Sequence, residues 1–151
     1  MSETEAQVSD EDLLARIRNS KNRPKSSVTL GFDIVTLSQA EKSCEITFEG
    51  KPEFCNPMGQ IQGGFLCAML DEVMSVACSV TSGMTHVVSS LEIKTSYFRA
   101  ATPGTIRGIG RVVKWGRTVA FVEGELFDSE GRMLAKASMT ALPQPYSKFK
   151  K

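Results

Sequence analysis

The chain has a single histidine, His86, among 151 residues. One imidazole excludes a His-rich metal site and leaves little room for a Ser-His-Asp triad. Charge excess is lacking as well: 18 Lys and Arg stand against 17 Asp and Glu, a net charge of +1. That balance gives no bulk attraction to nucleic acid or to an anionic membrane. The four cysteines, Cys44, Cys55, Cys67 and Cys78, form no CxxC pair, which removes zinc-ribbon and thioredoxin-type readings. The opening Met-Ser-Glu-Thr-Glu-Ala is acidic and has no apolar run of the secretory kind. The expectation is a cytoplasmic protein with reduced thiols and no metal. Its chemistry must run mainly on carboxylates, amides, hydroxyls, thiols or backbone groups. Among the thiols, Cys55 is the best placed for chemistry, because it lies in a loop.

What is present suits one domain with a real core: the hydrophobic share is 41%, too high for a disordered chain. Residues 1–26 read as an N-terminal helical extension and linker. Ser9 can cap a helix whose first turn is acidic (Asp10, Glu11, Asp12) and whose last turn is basic (Arg16, Arg18), matching the helix dipole. Pro24-Lys-Ser follows as a linker. Residues 27–142 read as the main domain and 143–151 as a tail. Strand-like stretches rich in β-branched and aromatic residues cover 28–37, 43–49, 87–100, 105–114, 118–128 and 133–142. Short turns between them predict an antiparallel sheet of sequential neighbours.

From Phe54 to Leu91 the only Asp, Glu, Lys or Arg residues are Asp71 and Glu72. Within this stretch, Gly63–Ser82 is apolar on nearly every helical face, the pattern of a buried helix. A transmembrane span is the rival for that length, and two adjacent carboxylates argue against it. The architecture expected is α+β: one long central helix wrapped by an antiparallel sheet.

That helix opens on Asn56-Pro-Met-Gly-Gln-Ile-Gln-Gly-Gly64. Glycines at a helix entrance allow close approach to the backbone, and the unpaired amides of the first turn suit an oxyanion or polarised carbonyl. Asn56, Gln60 and Gln62 add neutral donors. An acid in an apolar helix is costly unless it is paired or used. Glu72 is expected to pair with a strand base such as Lys94, Arg99 or Arg117. Asp71 is expected to act as base or nucleophile. Gly63 and Asp71 lie about 12 Å apart along one helix, so one helix cannot bring both to a single carbonyl. If both act on one group, two antiparallel copies of the helix, one from each subunit of a dimer, are required.

The loop at 56–64, Asp71, Ser90-Leu-Glu-Ile-Lys-Thr-Ser-Tyr-Phe-Arg99, Val112-Val-Lys-Trp-Gly-Arg117 and Asp128-Ser-Glu-Gly-Arg-Met-Leu-Ala135 together resemble the hotdog-fold acyl-CoA thioesterases. The phenylacetate-degradation branch is the most similar, over residues 28–142. The resemblance implies hydrolysis of an acyl-CoA at a homodimer interface, with dimers that can pair into tetramers. Coenzyme A enters with the substrate, so no cofactor is implied. Asp71 takes the place of the catalytic acid, and the Gly63 N–H polarises the thioester carbonyl. Asn56 orients carbonyl or water. A hydroxyl early in the third strand assists the acid; register with Tyr97-Phe-Arg points to Ser90, with Ser89 as fallback. Relatives often carry His immediately before the Gly-Gly pair, where this chain has Gln62. Gln keeps an amide donor and cannot titrate.

Gly64 and Met58 flank the same entrance as substrate contacts. Lys94, Arg99, Lys114 and Arg117 are candidates for the CoA phosphates, Arg117 first among them, with a solvated face as the alternative for each. Phe54, Met58, Phe65, Met69, Met74, Met84, Tyr97 and Phe98 are candidate walls for the acyl group, with ordinary core packing as the alternative for each. Two other functions compete: a non-enzymatic acyl-CoA-binding dimer, which Gln62 favours, and a hydratase or dehydratase, which would need His86.

Overall fold

The computed structural model describes residues 8–149. Glu3, Glu5, Lys150 and Lys151, which shape the acidic start and basic end of the sequence, lie outside the described residues. The elements are α1 (Asp10–Arg18), α2 (Lys25–Thr29), β1 (Asp33–Ser38), β2 (Ser43–Gly50), α3 (Gly63–Thr81), β3 (His86–Tyr97), β4 (Gly104–Trp115), β5 (Ala120–Phe127) and β6 (Met133–Pro145). The strands form one six-stranded sheet in the order β1-β2-β4-β5-β6-β3, antiparallel throughout. With α3 packed along its inner face, this is the α+β hotdog layout.

The core lies between α3 and the sheet. Met69, Leu70, Val73, Met74, Ala77, Cys78 and Val80 are all fully buried, opposite Ile46, Ile106, Leu126 and Met139. Glycine sets the helix–sheet distance at one point. A Cβ on Gly110 would run into the Val73 carbonyl, so α3 settles against β4 where no side chain intervenes. Gly64 and Ala68, in contrast, are exposed on the far side of the helix.

At the N-terminus, Ser9 Oγ accepts from the Asp12 N–H at 3.1 Å, and α1 docks through Leu13, which is fully buried. Arg18 ties the helix end down by donating to the Ile34 and Val35 carbonyls.

Three expectations need correction. Residues 25–29 form α2, where a linker and the start of a strand were expected, and the first strand begins only at Asp33. The β-branched Val28 and Thr29 carry a strand signal, but buried Ser27 binds the central helix and fixes a helical turn there. The last strand runs to Pro145, past the expected end at 142. Pro143 and Pro145 lie beyond the final β5 pair, Ala120 with Ala141, so on that side no neighbouring strand needs their missing N–H. Finally, the strands are not all sequential neighbours: β3 pairs with β6 at the sheet edge, and β2 pairs with β4.

Candidate active site

One face of α3 runs antiparallel to β3. Residues four apart share a helix face, and Gly63, Cys67 and Asp71 do so here. The Tyr97 hydroxyl donates to the Gly63 carbonyl at 2.7 Å. Thr95 Oγ1 meets Cys67 Sγ at 3.4 Å. Ser90 Oγ donates to Asp71 Oδ1 at 2.6 Å. Asp71 is half-buried. Its Oδ1 is fixed by the serine, and the carboxylate remains reachable from outside.

The match of Ser90 to Asp71 depends on a bulge. Strand residues alternate faces, so counting back from Tyr97 and Thr95 would put Ser89, not Ser90, toward the helix. The register shifts between Ser90 and Glu92, leaving Leu91 as the extra residue. A bulge residue reverses the alternation beyond it, which turns Ser90 inward. Ser89 points to the other face, where it accepts from Gln144 Nε2 at 2.8 Å. The structure thus brings Ser90 to Asp71 and leaves Ser89 away from it.

The entrance loop is folded by its own asparagine. Asn56 Oδ1 accepts from the Met58 N–H at 3.0 Å and the Gln60 N–H at 3.2 Å, so Nδ2 is the end left to meet a ligand. Gln62 is the N-cap of α3, and its side chain makes no capping bond. The first-turn amides of Gly63 and Gly64 have no intrahelical acceptor by position. The two glycines differ in purpose. A Cβ on Gly63 would lie 3.1 Å from the Tyr97 ring, so this glycine makes room for the phenol. Gly64 has open space apart from the Gln62 amide and leaves the helix start accessible. Met58, in the entrance loop, is 74% exposed.

Glu72 turns to the opposite flank of α3. It accepts from Ser27 Oγ at 2.6 Å, so its partner is a hydroxyl of the N-terminal extension and not Lys94, Arg99 or Arg117 as expected. Burial raises its carboxyl above the ordinary value, and neighbouring Asp71 raises it further, against the opposing effect of Ser27.

Beyond Gly63 opens a cleft of about 350 Å³ lined by Gln60, Gly63, Leu66, Tyr97, Phe98 and Arg99. Arg99 is therefore the base that shares a cavity with the helix start. The thioesterase superfamily profile matches residues 58–135, which contains the helix start, Asp71 and Ser90.

The chain belongs to the thioesterase superfamily. Its structure is similar to a phenylacetic acid degradation-related protein of Ralstonia eutropha JMP134, with 34% identity and a TM-score of 0.80, over 85% of this chain and 98% of that one. The PaaI protein of Escherichia coli shares the fold at 16% identity and a TM-score of 0.75, over 89% of this chain and 91% of that one. In sequence, the chain is 27% identical over 84 residues to the 1,4-dihydroxy-2-naphthoyl-CoA hydrolase of Escherichia coli K12, a match covering 56% of this chain and 62% of the hydrolase's length. Thioester hydrolysis, the enzyme class expected from the sequence, is the class of this superfamily.

Other candidates sort differently in this superfamily member. Lys114 and Arg117 lie at the β4–β5 turn, level with Ser90 through the pairs Trp115–Ala120, Ala120–Ala141 and Ala141–Ser90. They belong to the Asp71 end of the sheet, away from Gly63 of the same chain. Met69 and Met74 are fully buried core. Phe54 stacks on Phe65 at 4.1 Å and shapes the entrance loop. Cys44 and Cys78 are buried, which pushes both thiols up to about 12, so neither is a ready nucleophile. His86 starts β3, with Nδ1 2.9 Å from Thr85 Oγ1 and its ring edge-on to Trp115. In the sequence Tyr97 is legible only as a candidate apolar wall, and nothing there marks Cys67 or Thr95 as part of the site. The spacing of Gly63, Cys67 and Asp71 was the signal that all three share one face.

Proposed function

We propose that this protein is a cytoplasmic acyl-CoA thioesterase acting as a homodimer. The observation that carries the reading is the Ser90–Asp71 hydrogen bond on the helix face that begins at the Gly63 amide. In the reaction, the thioester carbonyl oxygen accepts from the Gly63 N–H of the partner subunit, an oxyanion-type contact. Ser90 holds Asp71 so that its carboxylate takes a proton from water as the oxygen attacks the carbonyl carbon. The tetrahedral intermediate expels the CoA sulfur, and the Asp71 proton passes to the thiolate. The products are a free acid and CoA. Asn56 Nδ2 orients the carbonyl or the water, and Gln62 lends an amide donor at the helix start. Attack by Asp71 itself on the carbonyl is the other route to the same products.

The two-subunit site is supported by the helix geometry and by β3. The separation of about 12 Å between Gly63 and Asp71 is too large for one chain to act on one carbonyl. The twelve-residue β3 is an edge strand, the kind of edge that pairs across a two-fold axis. Dimers can pair further into tetramers. Arg99 of one subunit, with Lys114 and Arg117 of the other, then flanks the site for the CoA phosphates, and Gly64 and Met58 border the thioester. No cofactor, metal, nucleic acid or membrane takes part in this reading.

Thiol release measured over an acyl-CoA panel tests it. Asp71→Asn is expected to lower kcat by roughly 10²- to 10⁴-fold, and Ser90→Ala to lower kcat more than it changes KM. Robust turnover unchanged by Asp71→Asn rejects the mechanism, and a monomer in solution rejects the shared site. A non-enzymatic acyl-CoA-binding dimer is the second reading, favoured by the non-titrating Gln62 at the N-cap.

A further inference from the structure

A second cavity lies on the flank of α3 opposite β3. It holds about 250 Å³ between α1, α2 and the central helix, and its surface is mainly apolar. Ile17, Phe32, Val76 and Met84 line it, with Ser79 and Glu72 on the helix side and Arg16 and Arg23 from the N-terminal extension. We propose that this cavity receives the acyl group of the thioester, and that the N-terminal extension is the element that sets acyl specificity. The assignment rests on the thioesterase reading above.

Size is the first argument. The volume falls below the range of about 300–1,000 Å³ typical of drug-sized ligand sites. It suits a hydrocarbon chain or single ring, not a whole CoA thioester. Position is the second. Glu72 directly follows Asp71, so the cavity begins about 100° around the helix from the carboxylate, roughly 10 Å over its surface. The strip between them carries Gly64, Ala68 and Ser75, small residues that are exposed or half-buried. A chain whose carbonyl sits at Asp71 can therefore cross the helix into the cavity without meeting a large side chain. Wall chemistry is the third. One Glu72 oxygen is occupied by Ser27 Oγ, and burial disfavours the charged form of that carboxyl. Both keep the wall compatible with an apolar guest. Met84 stands at φ +64, a backbone region uncommon for residues other than glycine. It lines this cavity, where an unbranched thioether adapts to different shapes.

The test compares octanoyl-CoA with acetyl-CoA, which is too short to reach the cavity. Full-length Val76→Phe and Ser79→Phe proteins are assayed by thiol release, with thermal unfolding and solution mass measured alongside. The expected result is a fall of about tenfold or more in the octanoyl-to-acetyl ratio of kcat/KM, expressed mainly in the octanoyl KM. An unchanged ratio overturns the assignment. So does a change of solution mass that accounts for the loss, because the cavity then receives a second copy of the chain. If the Phe variants do not fold, Val76→Ala is expected to shift the preferred chain toward greater length, and an unchanged optimum overturns the assignment. Turnover by the unsubstituted protein separates the two failures. No hydrolysis of any acyl-CoA rejects the thioesterase reading and this one with it; hydrolysis with an unaltered profile rejects this one alone.

Discussion

The Tyr97 hydroxyl donates to the Gly63 carbonyl at 2.7 Å, and its ring fills the space where a Gly63 side chain would stand. The C-terminal end of β3 is thereby fastened to the first turn of α3. The amide proposed to polarise the substrate sits on the residue whose carbonyl the phenol holds. Burial raises the Tyr97 hydroxyl above its ordinary range, with Cys67 adding to the effect, so the group stays protonated and able to donate.

Tyr97→Phe keeps the ring and removes the bond. Loss of about 0.5–1.5 kcal/mol of stability is expected, read by urea unfolding, together with a lower kcat from a less ordered helix start. Unchanged stability and unchanged turnover together would show that the phenol fastens nothing.

Glu72 sets a pH dependence. Its folded carboxyl is raised above 4.5, first by burial, so the folded state holds the proton more tightly than the unfolded chain does. The sign follows from linkage: this contribution is fully present below about 4.5 and is lost as pH rises through the raised value. Glu72→Gln preserves an acceptor for Ser27 and removes the titration. The variant is expected to be more stable than the parent at neutral pH, with a flatter stability profile above pH 4.5. Denaturant unfolding at a series of pH values measures both. A parent profile that rises over this interval as strongly as the variant's would contradict the assignment.

Gln62→His separates a weakened enzyme from a binding protein. The N-cap side chain makes no capping bond, so the exchange disturbs little structure. A large gain in acyl-CoA turnover is expected if the site is a hydrolase that lacks a titrating group. Binding without hydrolysis in both forms would favour the non-enzymatic dimer.

Much of this fold is legible in the chain. The central helix, expected over Gly63–Ser82, is observed over Gly63–Thr81, because an all-round apolar run with glycines at its start admits few other structures. The strands at 43–49 and 105–114 are each within a residue or so of their observed limits, since period-two burial and turn residues act locally. What local signals do not contain is the outcome of distant packing. Ser27 becomes helical because it meets Glu72 from across the chain. Edge pairing puts β3 beside β6, a choice that short turns do not encode. Of the candidate site, Asp71, Ser90 and the glycines meet or neighbour one helix face. The reach of Glu72 toward the N-terminal extension is invisible without the fold.

The extra residue at Leu91 makes β3 a strand with two reading frames. On one side of the bulge, odd-numbered residues face the helix; on the other, even-numbered ones do. Two adjacent serines stand just past that switch, so a regular strand of the same sequence would turn Ser89 toward Asp71, whereas a strand lacking Leu91 would keep Ser90 there.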